Sequence, residues 1–111
     1  MNVTGGEDDP RWDAFVTAMI AAGPVQEGNS RYGDKPALFP DGREIAHLEA
    51  PGEMDLRISS KGWLQARDGY SDDPVVRRDP SRRDWIELHV RSPADLGHLA
   101  GLPAIAIAAN S

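Results

Sequence analysis

Apolar residues recur at a helical interval near the start of the chain. Trp12, Phe15, Val16, Met19 and Ile20 fall at i, i+3, i+4, i+7 and i+8, one stripe of a 3.6-residue period. Asp9-Pro10 ahead of them reads as an N-cap and a proline in the first helical position. Gly23-Pro24 behind them stops a helix, so the spacing predicts one over 10–22. Gln26 to Asp34 is polar and reads as a connection. Apolar positions return in 35–39 and 43–49, which flank Pro40-Asp41-Gly42, a turn sequence that predicts a β-hairpin. Ala50-Pro51-Gly52-Glu53 is a second turn, and after it Met54, Leu56 and Ile58 alternate with Asp55 and Arg57, the period of a half-buried strand. Together these three strands predict a meander.

Residues 59–68, with Trp63 and Leu64, predict a short serine-capped helix, against which Gly62 counts. Segments 73–78 and 85–91 read as two further strands joined by a polar turn. Ser92-Pro93-Ala94-Asp95 starts another helix, with Leu96, Leu99 and Ala100 inward and His98 on a part-exposed side. Gly101 and Pro103 interrupt it, and 103–109 restarts as helix, although the alternation of Ala104 to Ala108 also suits a strand. The order α-β-β-β-α-β-β-α specifies an α+β fold: an antiparallel five-stranded sheet with its helices on one face. Residues 1–8 read as a disordered acidic tail and 9–111 as a single domain.

Several stretches carry a resemblance. Asp41-Gly42-Arg43-Glu44-Ile45-Ala46-His47-Leu48, the Asp55-Leu56-Arg57-Ile58 strand, Asp73-Pro74-Val75-Val76, and Asp84-Trp85-Ile86-Glu87-Leu88 leading into Ser92-Pro93-Ala94-Asp95-Leu96 are similar to the small luciferase-domain family of bacterial and fungal proteins. Ser30-Arg31-Tyr32 upstream fits as well. The resemblance spans roughly 24–100 in order and spacing, and is most specific over Arg43 to His47. It implies a domain of this size, but no catalytic residue and no light-emitting chemistry. The interruption at Gly101-Leu102-Pro103 departs from the unbroken final helix that the family implies.

Composition narrows the chemistry. The 111 residues carry 12 Lys plus Arg against 18 Asp plus Glu, a net charge of -6 that opposes adhesion to nucleic acid or anionic membrane. No cysteine is present, which excludes thiolate catalysis, cysteine-ligated zinc and disulfides. A chain of this length closes one core unaided, so neither a cofactor nor a metal is expected. The first residues lack the basic start and apolar core of a secretion signal, and no apolar run approaches ~18 residues. The expectation is a cytoplasmic protein, and the Asn2-Val3-Thr4 sequon then has no role.

Strand parity selects one surface. If Ala46, Leu48, Met54, Leu56, Ile58, Ile86, Leu88 and Val90 face the helices, the open face receives Ile45, His47, Glu49, Asp55, Arg57, Trp85, Glu87, His89 and Arg91. His47, Asp55, Arg57, Trp85, Glu87 and His89 are therefore the candidate ligand-binding face. The two histidines with Asp55 or Glu87 could make an acid-base pair or a metal site, since imidazole titrates near neutrality, although the spacing is no known ligand signature. The plainer alternative is a solvated face of cross-strand charge pairs. Arg77, Arg78, Arg82 and Arg83 are candidate anion contacts, but Asp72, Asp73, Asp79 and Asp84 match them in number and favour self-pairing over nucleic acid. Ser59, Ser60 and Ser81 sit in no nucleophile elbow. Trp12 and Trp63 read as core or core-edge residues, whereas Trp85 reads as exposed on the polar face. The expected function is a non-catalytic binding or interaction module with an unidentified protein or small-molecule partner. The alternative is a small ligand- or metal-binding enzyme built on His47 and His89.

Overall fold

A computed structural model of the chain describes residues 9–31, 33–70, 72–99 and 101–110, with residue 98 described for its backbone alone. The acidic tail expected at 1–8, Tyr32, Ala100 and the side-chain placement expected for His98 lie outside the described residues. Helix α1, Pro10–Ala22, is followed by β1, Gln26–Asn29, β2, Pro36–Phe39, β3, Ala46–Ala50, and β4, Glu53–Arg57. Helix α2, Ser59–Tyr70, leads to β5, Val76–Arg77, and β6, Trp85–His89; a 3-10 segment, Pro93–Leu99, and α3, Gly101–Ala109, complete the chain. The class is α+β, with an antiparallel sheet of six strands in the order β1-β2-β3-β4-β6-β5.

Two strands differ from expectation. Gln26–Asn29 forms β1 although all four of its residues are exposed. An edge strand needs only its backbone ladder with β2, so no apolar alternation announces it. Segment 73–78 contracts to Val76–Arg77, because Val75 and Val76 are both buried and the chain turns immediately before them. Between β4 and β5 the chain crosses over through α2, so β6 pairs with β4 on one side and β5 on the other.

The sheet carries its apolar residues in cross-strand rows. Leu38, Ala46, Leu56 and Ile86 stand opposite one another along one row, and Leu48, Met54, Leu88 and Val76 along another. Trp12, Phe15, Val16 and Met19 of α1 and Leu102 and Ala106 of α3 join these rows in one core cluster. Ile20, expected on the inward stripe of α1, is 54% exposed, because it falls beyond the arc that the core covers. Ile45, assigned to the open face by parity, is fully buried in the same cluster; it precedes β3 and so escapes the strand's alternation. Residue Gly62 lies inside α2 for a packing reason: an added Cβ would meet Ile58 Cγ1 at 3.0 Å and Ala109 and Ile105 of α3 at 3.3 Å. Absence of a side chain lets the two helices approach, which offsets the weaker propensity.

The turn between β3 and β4 is tied to α1. Gly52 has φ +76°, and a Cβ there would stand 2.7 Å from the Val90 carbonyl and from the Arg11 guanidinium. Its amide donates to Asp9 Oδ2 at 2.8 Å, and its carbonyl accepts from Val90 at 2.8 Å. Gly52→Ala is expected to lower unfolding free energy by about 2 kcal/mol, from left-handed strain plus the close contact. Urea denaturation of the two proteins checks this, and equal midpoints would show that the turn relaxes freely.

Candidate functional site

A polar row crosses the open face one residue out of phase with the apolar rows. Ala37, His47, Asp55, Glu87 and Arg77 stand opposite one another on β2, β3, β4, β6 and β5 in turn. Asp55 and Glu87 are thus like charges in direct register, an arrangement that is unfavourable unless a cation intervenes. Two do. On one side the His47 imidazole places Nε2 2.9 Å from Asp55 Oδ2. On the other the Arg82 guanidinium, from the loop between β5 and β6, lies 3.1 Å from Asp55 Oδ2 and 3.7 Å from Glu87 Oε2. Arg82 also covers the Trp85 ring at 5.6 Å, and Trp85 in turn packs against His47 at 5.4 Å.

His47 is held from behind by a residue that composition rules place outside. Glu44 is only 4% exposed, and its Oε2 lies 2.8 Å from His47 Nδ1. Ser30 Oγ donates to that same oxygen at 2.7 Å, and the Arg31 amide donates to Oε1 at 2.8 Å. Buried carboxylates persist when their acceptor sites are filled in this way. Glu49 approaches from the cleft side, with Oε1 3.2 Å from His47 Nε2 and 2.8 Å from Lys35 Nζ. A bulge positions it: Leu48 pairs with Met54 and Ala50 with Glu53, so Glu49 is the extra residue on β3.

Ionised carboxylate oxygens accept and do not donate, so an imidazole between Glu44 and Asp55 donates from both ring nitrogens when it is charged. Burial alone would pull the His47 pKa down, but the hydrogen bonds and charges of Asp55 and then Glu44 outweigh it and raise the value above 6.5. Burial likewise pushes Asp55 up, and His47 with Arg82 overcomes this and holds it below the ordinary carboxylate range.

These residues line one cleft of about 830 Å³ on the open face, bounded by His47, Glu49, Glu53, Asp55, Ser81, Arg82, Arg83, Asp84, Trp85 and Glu87. Of the six residues expected on the binding face, His47, Asp55, Trp85 and Glu87 therefore meet. Arg57 does not join them; its guanidinium reaches Asp84 at 3.2 Å and the Asn110 side chain beyond α3. His89 lies two strands from His47, roughly 10 Å across the sheet at ordinary strand spacing. It contacts Glu87 at 3.1 Å and lines a neighbouring hollow of about 590 Å³ with Glu53 and Arg77.

The four arginines diverge. Arg77 stands opposite Glu87, Arg78 covers Trp63 at 5.4 Å, and Arg82 and Arg83 border the main cleft. Glu44, Ser30 and Lys35 are site residues that strand parity did not select, whereas Glu49 lines the face to which parity assigned it. The one signal for Glu44 was its position three residues before His47. No protein-family model, curated protein or solved structure matches the chain. Among the described residues, no helix is long and apolar enough to cross a membrane.

Proposed function

We propose that the protein is a non-catalytic binding module whose open-face cleft receives a cationic group, a guanidinium or ammonium presented by a protein or small-molecule partner. One observation carries the reading: the chain's own Arg82 guanidinium is seated on the in-register carboxylates Asp55 and Glu87 and against Trp85. Two acceptors and an aromatic face are the elements by which a guanidinium is recognised. The surroundings suit a cation, since five carboxylates (Glu49, Glu53, Asp55, Asp84 and Glu87) line the cleft against His47, Arg82 and Arg83. Arg82 then acts as an internal stand-in that a partner displaces.

Two contacts favour binding over acid-base catalysis. Both nitrogens of His47 face carboxylates, so neither offers a lone pair to a substrate while the imidazole is charged. The Ser81 hydroxyl donates to Asp79 Oδ1 at 2.8 Å and takes no part in a histidine-activated pair. Kinship with the luciferase-domain family belongs to the same proposal. It is supported by the Arg43 to His47 stretch, where the resemblance is most specific. A cytoplasmic place of action goes with this reading.

Titration of arginine amide into the 111-residue chain, followed by calorimetry, tests the proposal. Arg82→Ala is expected to bind about tenfold more tightly than the unaltered chain, since self-occupancy by a part-exposed ion pair and ring contact is worth roughly 1–2 kcal/mol. Glu87→Gln in the same background reverses the gain. Absence of binding to both the unaltered chain and Arg82→Ala overturns the reading.

A further inference from the structure

The floor of the cleft offers a second kind of cation site. It rests on the reading of the cleft as a cation receptor and adds a corner that Arg82 alone does not explain. One ligand atom from each of His47, Glu49 and Asp55 lies within 4.8 Å of the other two. The individual gaps are 2.9 Å from Nε2 to Asp55 and 3.2 Å from Nε2 to Glu49. Donors bound tetrahedrally at about 2.1 Å stand about 3.4 Å apart, so the two gaps are about 0.5 and about 0.2 Å short of a chelate and open slightly to admit an ion. We propose that His47, Glu49 and Asp55 form a binding site for a divalent first-row transition-metal ion, with the remaining coordination position open to the cleft.

The network behind the imidazole is an independent reason. Metal-binding histidines commonly donate their second ring N–H to a carboxylate, which fixes the ring and directs the other nitrogen to the ion. Glu44 does this for Nδ1 from a buried position, and is itself fixed by Ser30 Oγ and the Arg31 amide. The ring therefore presents Nε2 to the cleft in one orientation. Asp55 is as buried as the ring, on the strand directly opposite, and Glu49 is delivered by a bulge at the one place where β3 departs from regular pairing. One nitrogen and two carboxylate oxygens suit zinc, cobalt or manganese and lack the thiolates that a softer ion prefers.

An arriving ion meets two occupants. Lys35 Nζ lies 2.8 Å from Glu49 Oε1 and Arg82 lies 3.1 Å from Asp55 Oδ2. Both side chains are long and part-exposed, so each can swing toward solvent, at the cost of an ion pair that is weak where water reaches it. The ion takes the place of the proton that otherwise sits on Nε2, and its charge satisfies the two facing carboxylates. His89 has no part in this set, which separates the site from a two-histidine arrangement.

Calorimetric titration of the metal-free 111-residue chain with zinc chloride, repeated with cobalt chloride while the visible absorption is recorded, tests the inference. The expected result is one ion per chain and cobalt bands of a low-coordinate N/O site. Glu49→Gln, at an exposed position where folding is not at stake, is expected to weaken binding at least tenfold, since loss of even an outer-shell partner of a metal ligand costs about 10–100-fold. Lys35→Ala is expected to tighten binding, and His89→Ala to leave it unchanged. Absence of stoichiometric binding to both the unaltered chain and Lys35→Ala overturns the proposal. So does equal affinity in Glu49→Gln, or loss of binding in His89→Ala alone. Arginine amide binding without zinc binding defeats the metal site and spares the guanidinium reading; zinc binding without arginine amide binding does the reverse.

Discussion

His47→Ala is expected to cost about 3–5 kcal/mol of unfolding free energy near neutral pH, the range for a buried ion pair stripped of one partner. The loss comes from what stays behind. Glu44 and Asp55 are each 4% exposed and both lean on the imidazole, at 2.8 and 2.9 Å. Without it Asp55 keeps Arg82, while among the described residues Glu44 keeps the Ser30 hydroxyl and the Arg31 amide. Sign follows from the direction of the histidine shift. Because the folded pKa lies above the ordinary 6.5, the contribution of the charged ring is complete below that pH. It falls away as pH rises through the folded value. The gap in urea midpoint between the two proteins should therefore be widest in mild acid and narrow on the alkaline side. A gap that widens with pH would show that the ring is neutral in the folded chain. A loss under about 1 kcal/mol at pH 6 would mean that water from the cleft solvates the two carboxylates as well as the imidazole does.

The candidate face was legible because strand parity is a strong constraint. A residue's side follows from its place in the alternation, so the sequence alone sets His47, Asp55, Trp85 and Glu87 on one face, and all four line one cleft. Lateral order follows from no such rule. Nothing in 73–91 says that β6 inserts between β4 and β5, yet that insertion is what sets Asp55 against Glu87 and brings Arg82 over both. His89 shares the face with His47 but sits two strands away, so pairing by parity alone joined residues that do not meet. Glu44 was hidden for a different reason. Hydrophobicity sorts side chains by transfer cost, and a carboxylate scores as exposed whatever its partners. Its burial is made tolerable by Ser30 and His47, the first of them 14 residues away in sequence. Polar edge strands and buried polar networks share this property: both are stabilised by partners rather than by their own composition.

Asp9→Ala is expected to lower unfolding free energy by about 2–4 kcal/mol, the sum of a lost helix cap and a buried donor left unsatisfied. The cap was readable from Asp9-Pro10, and Asp9 Oδ1 does accept the Arg11 amide at 3.0 Å. The larger part was not readable. Asp9 Oδ2 accepts the Gly52 amide at 2.8 Å, across 43 residues, so one side chain both starts α1 and fastens it to the turn between β3 and β4. Arg11 closes the arrangement with Nε at 2.9 Å from the same carboxylate. Burial pushes the Asp9 pKa up, but the Arg11 side chain and then the Gly52 and Arg11 amides more than offset this and bring it below 3.8. A carboxylate with a depressed folded value stabilises above its unfolded pKa and loses that contribution as pH falls through the folded one. The unaltered chain should therefore show a steeper acid limb below about pH 4 than Asp9→Asn, in which Asp55 still contributes one, while Asp9→Asn keeps an oxygen for the Arg11 amide and loses less than Asp9→Ala. Urea denaturation of the three proteins at pH 3 and pH 7 separates the terms: cap loss is common to both pH values, and the charge-dependent part appears only at the higher. Equal deficits for Asp9→Ala and Asp9→Asn at pH 7 would show that the cap to the Arg11 amide contributes nothing, because both variants lose the Arg11 ion pair and the oxygen that accepts from the Gly52 amide.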